Sequence, residues 1–205
     1  AVIQGTKLPE HVDSIEAKGI QSVKVIDSKP IGANVRSTVA TYDGVFDDLR
    51  KLFARTADAK AKGLTAGDFS YNTGKLRCPV CDGTGIITMD VQFLPDVDTI
   101  CPSCGGSRYG KDAYDILWKS KEKDSVSVSL PGLLKLTVEE AAGILHEETK
   151  IAKQLKILQD LGVCYLTLGE ATPALSGGEA QRLKLAYEME TPQQGSVFVF
   201  DEPTI

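Results

Sequence analysis

Residues 175–182 read Leu-Ser-Gly-Gly-Glu-Ala-Gln-Arg, and residues 197–204 read Val-Phe-Val-Phe-Asp-Glu-Pro-Thr. The first segment combines a serine hydroxyl, two glycine amides and a predicted helix N-terminus, all of which suit an anion. The second is an apolar run typical of a buried strand, and it ends in two adjacent carboxylates, Asp201 and Glu202. Together the two segments predict half of a nucleotide site on an α/β fold.

Each segment taken alone has a plainer interpretation. Ser176 and Glu179 also fit a capping box, which does no more than begin a helix. A Val-Phe-Val-Phe run followed by Asp-Glu-Pro is a common strand end, because Pro203 stops the ladder of hydrogen bonds. The order and separation of the two segments favour the nucleotide interpretation.

Four cysteines form a second pattern, C-x2-C-x19-C-x2-C, made by Cys78, Cys81, Cys101 and Cys104. Two thiolates separated by two residues reach one ion from a tight knuckle, and two knuckles complete the tetrahedral sulfur set that zinc prefers. Disulfides or a redox pair are the alternatives, and a reducing compartment disfavours them. Because four thiolates leave no open coordination position, we expect the zinc to be structural.

The segment between the knuckles predicts a β-hairpin that projects from the metal site. Residues 86–93 alternate in part, and residues 97–100 suit a return strand. Tyr71 and Tyr109 lie near four cations that flank the hairpin, namely Lys75, Arg77, Arg108 and Lys111. Cations mixed with aromatic residues suit a nucleic-acid backbone, and they equally suit an ordinary solvated surface.

The combination of these patterns resembles the UvrA family, the damage-recognition ATPases of bacterial nucleotide excision repair, which are ATP-binding-cassette (ABC) proteins. The resemblance rests on the four-cysteine module with Phe-Leu-Pro-Asp at residues 93–96, then on residues 175–182 and 201–204, in that order. Residues 25–32, 36–37, 40–42 and 44–48 extend it towards the N-terminus. It implies a partial ABC head with an inserted zinc-binding module and a helical signature region.

The resemblance also implies roles for individual residues. Asp201 is expected to hold Mg²⁺ through water, and Glu202 to position or deprotonate the attacking water. The signature segment is expected to contact the γ-phosphate of ATP held by the other ATPase unit. Its members are Ser176, Gly177, Gly178, Glu179 and Gln181.

Further expectations follow from the same resemblance. ATP and Mg²⁺ are implied as cofactors of the full-length parent, and a structural zinc is implied in the module. The implied partners are damaged duplex DNA, a second copy of the parent and a UvrB-type helicase subunit. The implied setting is the excinuclease system of DNA repair and the SOS response.

No usable phosphate loop occurs in the chain. Residues 105–111 match the first seven positions of G-x-x-x-x-G-K-[ST], but Asp112 replaces the required hydroxyl and Cys104 stands where a strand should end. We therefore expect this chain to be inactive as an ATPase by itself.

The sequence departs from the family pattern at two positions. Ser28 follows Asp27 where the family has the glutamine that senses the γ-phosphate and magnesium. The chain also ends at Ile205, where the family continues with Thr-Gly-Leu, which suggests a truncated or diverged C-terminus.

Composition is that of a cytoplasmic protein without a membrane segment. The chain has 205 residues and a net charge of −5, so any DNA contact must be local. Cys164 suits a core thiol, and His11 and His146 are expected to be bystanders. We divide the chain into an N-terminal lobe (1–70), a zinc-binding module (71–115) and a helical signature region with its strand (116–205).

Periodicity predicts several elements. We expect strands over residues 22–26 and 197–200, a helix over residues 45–54, and a connector or continued helix over residues 57–67. Thr137 and Glu140 predict a helix that begins at Val138, and a later apolar stripe predicts one that is closed by Gly162.

Two other functions remain open. One is a zinc-stabilised DNA- or protein-binding module without turnover. The other is a UvrA-like paralogue that serves drug tolerance, an alternative to which Ser28 lends weight.

Overall fold

The computed structural model describes residues 7–8, 10–89, 97–121, 126–191 and 193–201. Six strands occur in this part of the chain: β1 (Ser22–Ile26), β2 (Ile86–Met89), β3 (Val97–Ile100), β4 (Leu117–Lys119), β5 (Ser127–Ser129) and β6 (Ser196–Phe200). Seven α-helices accompany them: α1 (Val39–Asp43), α2 (Val45–Ala54), α3 (Ala57–Ala61), α4 (Leu130–Leu134), α5 (Val138–Ile144), α6 (Thr149–Asp160) and α7 (Gly177–Met189). The α/β class that the sequence predicts is confirmed.

Strands β1 and β6 form a parallel pair although most of the chain separates them. Their register places Val23 opposite Val197 and Val25 opposite Val199. All four valines are exposed, whereas Ile26 is buried and α7 lies against β1. One face of this pair is therefore covered by α7, and the other face carries a patch of apolar side chains.

The principal core lies among the helices. Helix α2 buries Leu49 and Phe53 along one face, as its spacing predicts. Gly44 separates α1 from α2 with a φ of +92°, a left-handed conformation that glycine adopts at little cost. The chain can therefore turn sharply enough between the two short helices for both to enter the same core.

Helix α5 begins, and helix α6 ends, close to where the sequence predicts. Thr137 and Glu140 form a reciprocal capping box at the start of α5. Helix α6 buries Leu155 and Leu158, and Gly162, with a φ of +73°, follows its end. Residues 57–67 form the short helix α3 and a turn, whereas β4, β5 and α4 were not predicted.

The hairpin between the cysteine knuckles is confirmed for the described residues. Strands β2 and β3 pair antiparallel, with Ile86 opposite Ile100 and Met89 opposite Val97. The rest of the predicted first strand and its turn, residues 90–96, lie outside the described residues. Tyr71 and Tyr109, from the predicted zinc-binding module, are buried in the same core cluster as residues of the helices. The division of the chain into three parts near residues 70 and 115 stays a prediction.

Among the described residues, no helix combines the length and the apolar character needed to cross a membrane.

Candidate metal centre and nucleotide half-site

The four cysteines converge on one point. Their sulfur atoms all lie within 4.8 Å of one another. The Cys78 and Cys101 sulfurs are 4.0 Å apart, and those of Cys81 and Cys104 are 3.7 Å apart. A tetrahedron with metal–sulfur bonds of about 2.3 Å has edges of about 3.8 Å, whereas a disulfide needs about 2.05 Å. The cluster therefore fits a metal ion bound by four sulfurs and not two disulfides.

The surroundings of the cysteines favour the thiolate at Cys78 and oppose it at Cys104. Burial opposes ionisation of Cys78, but amide hydrogen bonds from Cys81 and Val80 lower its pKa to about 7. Burial raises the pKa of Cys104 to about 12. Because thiolates this close repel one another, a cation at the centre is what would stabilise the fully ionised set.

The knuckles depend on glycine at close approaches. A Cβ on Gly83, whose φ is +79°, would lie 1.7 Å from the carbonyl oxygen of Tyr71. Gly85 donates its amide to the Cys81 sulfur at 3.3 Å, and its φ is +82°. Glycine is therefore required at both positions for the loop to pass over the sulfurs.

Arg108 does not lie on the surface where the sequence analysis placed it. Its side chain is 7% exposed, and its guanidinium donates to the carbonyl oxygens of Val35 and Thr84, both at 2.8 Å. The same guanidinium lies over the ring of Tyr71, 5.2 Å from its centroid. The expectation that Arg108 contacts DNA is therefore corrected: this residue ties the cysteine module to the loop before α1.

We expect Arg108→Ala to destabilise the chain by about 2–4 kcal/mol, because two carbonyl oxygens lose a charged donor and a buried cavity remains. Urea unfolding of the 205-residue chain measures this change. Lys111→Ala is the matched control at an exposed site, with an expected change within about 0.5 kcal/mol. Equal unfolding free energies of the two variants would contradict a stabilising role for the contacts of Arg108 with Val35 and Thr84.

The other predicted DNA contacts remain partly accessible. Lys75 is 79% exposed and pairs with Asp68 at 3.6 Å, and Lys111 is exposed. Arg77 pairs with Asp82 at 3.0 Å. The two tyrosines expected among these cations are instead buried: Tyr71 donates to the carbonyl oxygen of Arg36 and Tyr109 to that of Phe69. Of this group, only the cations outside the core can meet a phosphate.

The signature segment begins α7, as predicted. The Ser176 hydroxyl accepts from the Glu179 amide at 3.4 Å, and the Glu179 carboxylate accepts from the Ser176 amide at 2.7 Å. This capping box lowers the pKa of Glu179, first through the Ser176 amide and then through Tyr165. Ser176 is exposed and Gly178 is buried, so the exposed start of α7 is the part that can receive an anion.

Four further predicted residues lie on α7 or beside it. The Gln181 amide nitrogen donates to the carbonyl oxygens of Ile26 and Asp201. A Cβ on Gly177 would lie 3.2 Å from the Ser28 carbonyl oxygen, so glycine permits the Ser28 loop to approach the helix. Asp201 is exposed at the end of β6, and Glu202 lies outside the described residues. The fold thus brings Ser28, Gly177, Gln181 and Asp201 into one region.

Two residues that contact this region were not predicted from the sequence. Lys184 binds the Asp27 carboxylate, and this hydrogen bond is the main cause that lowers the pKa of Asp27. Tyr165 donates its hydroxyl to Glu179 at 2.8 Å. The only signal for Lys184 was its place one turn after Gln181 on the predicted helix, and nothing local marked Tyr165.

Comparisons with known proteins agree with this architecture. UvrABC system protein A of Staphylococcus epidermidis is 44% identical over 193 residues, which cover 92% of this chain and 20% of that protein. The Aquifex aeolicus protein of the same name is 42% identical over 196 residues, covering 95% and 20%. The crystal structure of UvrA2 from Deinococcus radiodurans superposes with a TM-score of 0.81 and 41% identity, covering 91% of this chain and 22% of that one. No protein-family model matches the chain.

The fold and the sites define an α/β protein that carries a four-cysteine cluster able to hold a metal ion beside a helical region. The chain belongs to the UvrA family. It spans about a fifth of the length of the curated relatives that it matches.

Proposed function

We propose that this chain is part of a UvrA-type ABC ATPase that recognises damaged DNA in nucleotide excision repair. The observation that carries the proposal is the convergence of Ser28, the start of α7 and Asp201 in one region of a fold that also holds the four-cysteine cluster. Loss of ATP turnover in the full-length parent after Glu202→Gln tests it.

In this proposal the chain supplies part of each of two nucleotide sites. Asp201 holds Mg²⁺ through water and Glu202 orients or deprotonates the attacking water, while ATP and its phosphate loop come from elsewhere in the parent. The exposed start of α7, at Ser176, meets the γ-phosphate of nucleotide held by the other ATPase unit. Glu179 closes the cap that fixes this helix start, and Gly178 beside it is buried.

Zinc is the metal that we propose for the cysteine cluster. Four sulfurs at near-tetrahedral spacing match its preference, and the complete sulfur shell assigns it a structural task. Arg108 and the glycines of the knuckles then transmit that rigidity to the loop before α1.

We propose a local DNA contact beside the hairpin, through Lys75, Arg77 and Lys111. Lys75 and Lys111 are exposed, and the described part of the hairpin presents exposed apolar side chains such as Met89 and Ile100. Because the chain carries a net charge of −5, only such a local cluster can attract a phosphate backbone.

Lys111→Ala should weaken binding to a short DNA duplex and lower the slope of log K against log salt by about 0.9. Lys75→Ala and Arg77→Ala should have smaller effects, since Asp68 and Asp82 already neutralise part of their charges. Fluorescence anisotropy across a salt series measures both quantities. Lys153→Ala on α6 is the control at an exposed lysine, and a salt slope unchanged by all three hairpin variants removes the DNA contact.

A second copy of the parent and a UvrB-type helicase subunit are the further partners that we propose, in the cytoplasm.

Two observations favour other candidate functions. The absence of a phosphate-loop sequence suits a binding module without turnover, and Ser28 suits a paralogue in drug tolerance. ATPase activity of the full-length parent separates the first of these from the proposed enzyme.

A further inference from the structure

Gln181 joins the ends of the two parallel strands. Its side chain is 7% exposed, and its amide nitrogen donates to the Ile26 carbonyl at 3.2 Å and to the Asp201 carbonyl at 2.7 Å. The Asp201 amide in turn donates to the Ile26 carbonyl at 3.0 Å. One carboxamide of α7 therefore fixes the backbone of Asp201 relative to the end of β1.

Lys184 holds the next stretch of chain after β1. Its ammonium donates to the Asp27 carboxylate, to the Asp27 carbonyl at 3.1 Å and to the Lys29 carbonyl at 2.7 Å. Its side chain is 16% exposed. Because Asp27 and Lys29 flank Ser28 on both sides, all three donor positions of this ammonium serve to fix the loop that carries Ser28.

Gly177, Gln181 and Lys184 follow one face of α7 at i, i+4 and i+7. Gly177 contacts Ser28, Gln181 contacts both strand ends, and Lys184 contacts the loop that follows β1. A helix hydrogen-bonded throughout moves as a unit, so displacement of its start displaces all three contacts.

We infer that Gln181 and Lys184 are positioning residues, which couple the signature end of α7 to the metal-binding end of β6 and to the Ser28 loop. The inference rests on the proposed function, since it takes Asp201 as the magnesium residue and Ser176 as the nucleotide contact. Nucleotide bound at the start of α7 by one ATPase unit then adjusts Asp201 in the adjoining site. The two sites communicate through a single helix.

The test uses the full-length parent and the part of its ATPase activity that Glu202→Gln removes. Gln181→Leu should lower kcat of that part by about tenfold, because the Asp201 carbonyl loses the side-chain donor that fixes its position. KM for ATP should stay unchanged, since the phosphate loop lies elsewhere, and the Mg²⁺ concentration for half-maximal rate should rise. Lys184→Met should also lower kcat, and Lys184→Arg should restore most of it.

Gln159→Leu on α6 is the matched control and should leave kcat, KM and the Mg²⁺ midpoint unchanged. Thermal unfolding of each variant separates misfolding from coupling: a rate that falls only in proportion to the folded fraction overturns the inference. Wild-type kcat and Mg²⁺ dependence in Gln181→Leu also overturn it, while sensitivity to Glu202→Gln preserves the proposed function. If Glu202→Gln itself leaves all ATPase activity intact, the proposed function fails and the coupling fails with it.

Discussion

In the full-length parent, Glu202→Gln should lower ATP hydrolysis at this site by about 10²–10⁴-fold while nucleotide and magnesium still bind. The amide keeps the size of the carboxylate but cannot accept the proton of the attacking water. In the proposed function Glu202 orients the attacking water, and phosphoryl transfer depends almost entirely on positioning and on electrostatic stabilisation. Its replacement should therefore lower the rate without weakening binding. Steady-state ATPase assays with parallel nucleotide-binding measurements check both parts.

The isolated 205-residue chain should show no ATP turnover at all. Its sequence lacks a complete phosphate loop, because Asp112 replaces the hydroxyl after Lys111. Without that cradle the nucleotide is not held near Asp201 and Glu202. Steady hydrolysis by the purified chain that survives Glu202→Gln would show that the site is assigned wrongly.

Removal of one cysteine ligand should abolish stoichiometric metal binding. We expect about one zinc per chain, with zinc–sulfur distances near ~2.3 Å by X-ray absorption. Cys78→Ser and Cys101→Ser remove buried ligands from opposite knuckles, so the two knuckles lose the ion that joins them. Structural zinc contributes about 10–16 kcal/mol of apparent binding free energy in small zinc domains, and the unfolding free energy should therefore fall by several kcal/mol.

Cys164→Ser is the control for this experiment, because Cys164 lies outside the sulfur cluster and should leave the zinc content intact. Elemental analysis gives the stoichiometry, and urea unfolding gives the stability. A protein that is fully folded without metal, and unchanged by a strong chelator, would contradict a structural zinc.

Local patterns predicted much of the architecture. The spacing of Cys78, Cys81, Cys101 and Cys104 predicted one cluster, since each knuckle is a matter of two intervening residues. The capping boxes that begin α5 and α7 depend on side chains three residues apart, and both are confirmed. Such features depend only on residues that are close in sequence, and this is why they could be predicted without the tertiary structure.

The fate of individual charged and aromatic residues could not be predicted in this way. Arg108, Tyr71 and Tyr109 read as a surface for nucleic acid, yet all three are buried. Their partners include the carbonyl oxygens of Val35 and Arg36, which come from a loop far away in sequence. An arginine that finds buried acceptors loses little by leaving water, and only the packing of distant segments supplies those acceptors.

The sequence by itself determined the cysteine knuckles, the helix starts and the β1 and β6 strands, because each rests on residue types at short spacing, and the order of its motifs along the chain identified the UvrA family. Only the tertiary structure decided that β1 and β6 lie side by side, and that Gln181 reaches a carbonyl 155 positions earlier in the chain. The sequence predicts that Gln181 binds nucleotide as part of the signature segment. In the structure its side-chain amide instead donates to two backbone carbonyl oxygens, those of Ile26 and Asp201. The physical reason is that parallel pairing and buried hydrogen bonds between remote segments depend on how the whole chain closes, which no local pattern records.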